Sequence, residues 1–240
     1  MKNHLLSAAL TLLAGSLIAA DSNPKNEVTA AAKKLGEKAN YGWKQTIVVP
    51  ESAPFKPGPS EGKLEKDGVT FFTLSFGDNT TQIYLKGDKS AIHGPDGGWQ
   101  SAKDLEGDEG PGRFLGFIIK SFKAPSAQAT ELADAAKELK KDGDAYSSDL
   151  TEAGAKAQFR FGNPTDPKGS VKFWIKDGQL TKFESKLTGK VDFNGNEVDV
   201  DRTSTIEIKD VGTTKVEVPA EARKKLDPAP APAEPAPSAK

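Results

Sequence analysis

An alternation of hydrophobic and polar residues with a period of two runs through much of the chain and predicts a mostly β protein. In residues 41–49 the aromatic and apolar side chains fall on one side of an extended strand, and lysine and threonine fall on the other. Further runs at 69–76, 80–85 and 90–93 are separated by Gly, Asp and Asn, which tolerate the positive φ angles of tight hairpins. These runs predict an antiparallel meander.

A second β block, residues 144–218, is predicted in the C-terminal half of the chain. Asp177-Gly178 and Asn194-Gly195 are strong hairpin signals within it. Trp174 falls on the opposite side of its strand from the apolar residues beside it, which predicts that this strand is covered on both faces. The predicted strands of the block are 146–150, 155–161, 170–176, 179–187, 190–193 and 197–208.

Three segments have helical periodicity. Residues 26–39 predict a short amphipathic helix that packs one face on the sheet. Residues 113–122 predict a strongly apolar helix, and a third helix is predicted to begin at an N-cap, Ser126, and to end at 140–143. The last two helices divide the β blocks.

The apolar helix at 113–122 carries more bulky hydrophobic residues than one buried helix face needs. It is therefore either buried on all sides, or part of it lines an apolar cavity or presents a patch to a partner. Trp99 follows two glycines, a setting that suits either a ligand platform or a loop anchor. The candidate residues for an apolar cavity or its lid are Phe114, Phe117, Ile118, Phe122, Trp99 and Trp174.

Residues 1–20 have the pattern of a secretory signal peptide, with Lys2 followed by an apolar run at 5–19 that ends in small residues. We predict cleavage after Ala20 and a periplasmic or secreted location. The alternative is an uncleaved amphipathic anchor, because Ile18 is larger than the usual residue three positions before a cleavage site. No other segment approaches the roughly 20 apolar residues that a membrane span needs.

We predict a single domain over residues 26–226, followed by a tail at 227–240 whose alternating Ala and Pro favour polyproline II and cannot build a core. The chain has no cysteine, which excludes disulfides and a lipid-modified N-terminal cysteine. Lys and Arg total 33 against 34 Asp and Glu, so no net charge draws the chain to nucleic acid or to anionic lipid headgroups.

Residues suited to catalysis or metal binding are sparse. Beyond the predicted signal peptide the only histidine is His93, so zinc sites lack ligands. Asp192, Asn194 and Asn196 imitate the start of a calcium loop, but Glu197 stands where that loop needs glycine. No Gly-x-Ser-x-Gly elbow, dinucleotide-binding glycine motif or phosphate loop occurs. We predict no catalytic site, no metal and no cofactor.

The order of the predicted elements carries a resemblance to a known family. A leading helix precedes Tyr41-Gly-Trp43, a helical insertion occupies 111–141, and a hairpin of sequence Phe-Trp-Ile-Lys-Asp-Gly-Gln-Leu-Thr-Lys lies at 173–182. Final strands at 206–219 end in a proline. Over most of 26–226 this order resembles the LolA-like family of envelope proteins, named for the lipoprotein carrier of the periplasm. The chain lacks the lipidation cysteine of the family's lipoprotein members.

The resemblance implies an α+β fold in which a curved, mostly antiparallel half-barrel is covered by a few helices over an apolar cavity. It also implies a carrier or sensor that binds an acyl chain or a lipidated partner by shape and burial, without chemistry. Two alternatives remain open. One is a structural or protein-interaction module of the cell envelope without a ligand, and the other is an unrecognised hydrolase.

Overall fold

The computed structural model describes residues 23–53, 56–95, 97–105, 110–159, 162–193 and 195–227. The predicted signal peptide and the tail beyond residue 227 lie outside this part of the chain. The helices are α1 (Pro24–Gly36), α2 (Pro111–Lys120), α3 (Pro125–Ala135), α4 (Glu152–Ala157) and α5 (Ala220–Leu226). The strands are β1 (Asn40–Val48), β2 (Ser60–Glu65), β3 (Thr70–Phe76), β4 (Asn79–Lys86), β5 (Lys89–His93), β6 (Trp99–Gln100), β7 (Lys140–Asp142), β8 (Ala145–Asp149), β9 (Thr165–Lys176), β10 (Gln179–Phe193) and β11 (Asn196–Lys209).

All of these strands form one curved sheet that does not close, in the order β6-β5-β4-β3-β2-β1-β11-β10-β9-β8-β7. Each neighbouring pair is antiparallel. β1 stands at the centre, where it joins the N-terminal meander to β11 and the long hairpins of the second block. The predicted α+β half-barrel is confirmed.

The concave face of the sheet divides into two halves. In the sealed half, defined as β8–β11 with α1, α3 and α4, the facing side chains are buried by helices that lie close to the sheet or to one another. Phe173 and Val171 on β9 are at most 1% exposed, and Val28 on α1 is fully buried. In the lid half, defined as β2–β5 with α2, the covering helix is less tightly packed.

Helix α1 shows how local sequence sets the cover of the sealed half. The side chain of Asn23 caps the helix by accepting a hydrogen bond from the backbone N–H of Lys25, and Pro24 occupies the first turn, where a missing N–H costs nothing. The buried positions are Val28, Ala31, Ala32 and Leu35, the face expected from the sequence. In the first turn of the helix, the Glu27 carboxylate accepts a hydrogen bond from the Tyr146 hydroxyl of β8.

The convex face carries a smaller apolar cluster beneath α5. Ala222 and Leu226 of α5 contact Tyr84 and Ala91 of the sheet. The segment that leads to α5 crosses the back of the first strands, and the Val216 N–H donates to Glu65 Oε1 at 2.8 Å. Among the described residues, no helix is long and apolar enough to span a membrane.

Several predicted elements were wrong. Residues 155–161 were expected as a strand, but Thr151 caps helix α4 by accepting from the Gly154 N–H at 3.0 Å, and alanine favours helix there. Helix α3 starts from Ala124 rather than from an N-cap at Ser126. It also ends at Ala135, because the next residues turn extended and pair with the end of β8. Strand β2 and helix α5 were not predicted.

Candidate functional site

Helix α2 begins and ends through local backbone features. Gly110 has a φ of 74°, a left-handed conformation that favours glycine, and Pro111 follows in the first turn. At the other end the Ser121 N–H donates to the carbonyl of Phe117 at 2.9 Å. The backbone of α2 makes few close approaches to the other elements, in contrast to α1 and α4. Contacts made by its side chains therefore contribute much of what holds this helix over the sheet.

The inner side of α2 contacts the concave core without being fully buried. Leu115, Ile118 and Ile119 are half-buried and touch the core cluster. Beyond the helix end, the ring of Phe122 stacks on Phe72 of β3, with centroids 4.7 Å apart and planes 10° apart. This stack is the strongest described contact between the α2 segment and the sheet.

A second aromatic contact depends on a glycine in β2. Trp43 of β1 lies 6.2 Å from Phe122 between ring centroids. Its indole lies across the backbone of Gly62, its partner in the β1–β2 register, and a Cβ on Gly62 would stand 2.0 Å from Trp43 Cζ2. Only glycine leaves room for the indole in this position, so Gly62 sets where Trp43 meets Phe122.

The strands of the lid half also leave apolar side chains incompletely covered. Leu64 of β2, Leu74 of β3 and Leu85 of β4 belong to the concave core cluster but are only half-buried. No described side chain of residues 112–120 is fully buried. The lid half therefore contains a seam of half-buried hydrocarbon on both the helix and the strands, although other side chains of these strands, such as Ile83, are fully buried.

The outer side of α2 consists of the four exposed positions Arg113, Phe114, Phe117 and Lys120. Phe114 is 36% exposed and Phe117 is 38% exposed, so the helix is not buried on all sides. The sequence-predicted lid residues thus divide between two faces. Ile118 and Phe122 point to the core, whereas Phe114 and Phe117 present their rings outward.

The structure does not bring Trp99 and Trp174 to this site, which corrects the expectation that they share a cavity with α2. Trp99 lies on the convex face beneath α5, with its ring centroid 5.7 Å from that of Tyr84 and 5.0 Å from that of His93. Trp174 is also on the convex face, where Lys182 Nζ lies 3.7 Å from the ring centroid. A cation over an aromatic face, rather than a second apolar layer, covers this part of β9.

A cleft of about 560 Å³ opens at one end of the concave face. It lies between the end of α1, the β2–β3 and β4–β5 turns, and the start of α3. Leu64 and Tyr41 line its inner wall. The Tyr41 hydroxyl donates to Ser126 Oγ at 3.3 Å, and burial raises the pKa of Tyr41, so the phenol stays neutral. The cleft is lined by both polar and apolar groups, and Leu64 belongs to both the cleft and the hydrocarbon seam.

The described residues give no support to a metal centre, since they contain no group of three or more His, Cys, Asp or Glu side chains placed to hold an ion. Asp192 of the calcium-loop hypothesis accepts a hydrogen bond from the Gly195 N–H at 3.0 Å, as in a simple hairpin. Asn194 of the same hypothesis lies outside the described residues. His93 is a strand-end residue against Trp99, as its position in the sequence indicates.

The fold is similar to that of a solved mycobacterial lipoprotein. The lipoprotein LppX of Mycobacterium tuberculosis matches with a TM-score of 0.50 and 9% identity, over 82% of this chain and 99% of LppX. LprF of Mycobacterium bovis matches with a TM-score of 0.47 and 13% identity, over 83% of this chain and 97% of LprF. No protein-family model and no curated protein matches the chain. The LppX likeness shows the fold alone, and it confirms the fold that the sequence resemblance implies.

Proposed function

We propose that this chain is an exported binding or carrier protein that holds an acyl chain, or the acyl part of a lipidated partner, between α2 and the concave face of β2–β4. The half-buried hydrocarbon on both sides of the lid-half seam is the observation that carries this proposal. Binding requires no chemistry, because burial of apolar surface supplies about 25 cal/mol per Å² before ordering costs are deducted.

In this proposal, α2 acts as a lid that moves away from the strands to admit the ligand. The α2 backbone makes few close approaches to other elements, and Phe122 anchors the C-terminal end of the segment on Phe72. In the proposed opening, the rest of the helix swings while this end stays attached. The ligand then replaces the contacts that Leu115, Ile118 and Ile119 make in the closed structure. The cleft near Tyr41 leaves room for a polar group at the end of the acyl chain.

The fold likeness to LppX supports a location in the cell envelope, since LppX is a lipoprotein, and the signal-peptide pattern of residues 1–20 supports export. We infer that the mature chain starts after Ala20 and reaches the periplasm or the medium. Amino-terminal sequencing of the secreted or periplasmic protein tests this. An intact residue 1 on a membrane-attached protein would instead support the uncleaved anchor.

Native mass spectrometry of the protein purified from its own cell envelope tests the proposed ligand. We expect co-purifying lipid, and we expect the emptied protein to bind cis-parinaric acid, a fluorescent fatty acid. The substitution I118N places an amide in the seam, where its desolvation opposes binding. F117S is the matched control, because Phe117 lies one residue away on the outer face.

We expect I118N to weaken binding of the probe by tenfold or more, at roughly 1.4 kcal/mol per tenfold, and F117S to bind like the unmodified chain. Circular dichroism checks that both variants are folded. A protein that is always empty and does not bind the probe would contradict the carrier function. That result would favour the structural or protein-interaction module, which the fully packed sealed half would serve equally well.

A further inference from the structure

The outer face of α2 combines exposed aromatic rings with exposed cations. Phe114 and Phe117 are two of the three exposed large hydrophobic side chains in the described part of the chain, and Val48 is the third. The two rings are bracketed along the helix by Arg113 and Lys120. At 100° per residue these four positions fall within an arc of roughly 120°, so they form one surface.

We propose that this surface docks the protein on a lipid bilayer containing anionic phospholipids, with α2 lying in the plane of the interface. An interfacial helix has aromatic side chains that enter the boundary between headgroups and acyl chains, and cations that remain among the headgroup phosphates. Phe114 and Phe117 provide the first element, and Arg113 and Lys120 the second. The inward stripe of Leu115, Ile118 and Ile119 stays on the protein core, so docking leaves the fold intact.

The charge of the α2 segment favours a bilayer over a neutral apolar partner. Residues 110–124 contain Arg113, Lys120 and Lys123 and no acidic residue, although the whole chain has a net charge of −1. Lys123 is paired with Glu131 at 2.6 Å. Arg113 and Lys120 are the exposed cations that stand beside Phe114 and Phe117 along the helix. Three acids at 106, 108 and 109 precede α2 and lie outside the described residues. The dependence of docking on salt and on lipid charge therefore measures whether the net charge of the surface is positive.

Docking on a bilayer is distinct from binding a ligand inside the seam, and each can fail without the other. The outer residues serve the first and the inner residues serve the second. F114S/F117S is expected to lose docking and to bind cis-parinaric acid normally, whereas I118N is expected to dock normally and to lose the fatty acid. This opposite behaviour separates the two proposals.

Flotation with lipid vesicles tests the proposal on the chain without residues 1–20, so that the apolar run 5–19 does not contribute. We expect it to float with vesicles of phosphatidylcholine and phosphatidylglycerol, less with phosphatidylcholine alone, and less at high salt. F114S/F117S should bind on the order of tenfold more weakly. R113Q/K120Q should lose about fivefold per cation on the anionic vesicles.

Matched controls are exposed residues on other elements of the protein. V48S removes an apolar side chain that is 61% exposed, and K156Q/K176Q removes two exposed cations from other elements. Both should float like the unmodified chain. The proposal is overturned if the unmodified chain stays unbound on both kinds of vesicle, which would leave a protein as the partner of this face. It is equally overturned if F114S/F117S floats like V48S.

Discussion

The sealed half and the lid half use the same sheet in opposite ways. In the sealed half, α1, α3 and α4 press small and branched side chains against β8–β11, and Phe173 is fully buried beside Phe183 with centroids 6.3 Å apart. In the lid half, the α2 backbone makes few close approaches to other elements, and none of the described side chains at 112–120 is fully buried. This difference in cover is the basis on which we assign most of the stability to the sealed half and propose ligand binding for the lid half.

The largest loss of stability is expected from the sealed half. F173A removes a ring that is 0% exposed and leaves a cavity among residues that are themselves fixed. We expect the free energy of unfolding to fall by about 3–5 kcal/mol. The comparison variant I118A in the lid half should cost clearly less, because Ile118 is only half-buried. Urea unfolding of both proteins measures this, and equal losses would contradict the division into two halves.

A smaller effect is expected at the junction of β1, β2 and α2. G62A places a methyl group 2.0 Å from Trp43 Cζ2, so the indole must shift away from Phe122. We expect a loss of about 1–3 kcal/mol together with a change in the near-ultraviolet circular dichroism. In the neighbouring strand, G42A is the control, because its Cβ would have no atom closer than 3.5 Å. If G42A and G62A behave alike, the Trp43 contact does not position α2.

A local effect is expected inside α2. A methyl group on Gly116 would have no neighbouring atom within 4 Å, so G116A adds helix propensity without a clash. The substitution should raise the stability of the helix by about 0.5–1 kcal/mol and slow amide exchange in α2 by about two- to fivefold. Exchange in β10 should not change, because the proposed opening of α2 leaves the sealed half folded. Slower exchange throughout the sheet would show that α2 unfolds only together with the rest.

The smallest effect is expected on the convex face, where Lys225 of α5 contacts Asp104 at 2.8 Å. Hydrogen bonds from Lys225 and from the Ser101 backbone lower the pKa of Asp104 from 3.8 to about 2. A lowered carboxyl pKa adds stability above about pH 4 that is lost as the pH falls towards 2. Both side chains are over a third exposed, so the contribution should be well below 1 kcal/mol.

D104N measures this contribution directly. We expect nearly unchanged stability at pH 7 and a flatter dependence of stability on pH between about 4 and 2. Thermal unfolding across that range, compared with the unmodified chain, provides the readout. A large loss at pH 7 would mean that α5 holds the convex face far more strongly than an exposed ion pair can.

The sequence predicts the antiparallel strands and the buried face of α1, because alternation and helical period report directly on which side of an element is buried. The half-barrel itself is implied by the family resemblance. It also marks α2 as unusual through its surplus of apolar residues. The outward placement of Phe114 and Phe117 depends on how far α2 stands from the sheet, which no local pattern reports. The same limit applies to Trp99, whose face follows from its pairing with His93 across β5 and β6.

Two other failures have local causes. The alternating side chains near 155–161 are typical of a strand. A helix forms instead at 152–157, because Thr151 caps its start and the alanines of 153–157 have high helix propensity. Helix α5 is seven residues long, and its two buried side chains, Ala222 and Leu226, are too few to give a clear helical period. Short elements are stabilised by the surface on which they pack, so their own sequence predicts them poorly.

Hydrogen exchange with and without bound cis-parinaric acid tests most directly whether the lid half is a ligand site. We predict that the amides of α2 exchange faster than those of α1 and β10 in the empty protein, and that the fatty acid slows exchange in α2 and in β2–β4 while leaving β10 unchanged. An α2 as protected as α1 in the empty protein, and unaffected by the fatty acid, would contradict the account.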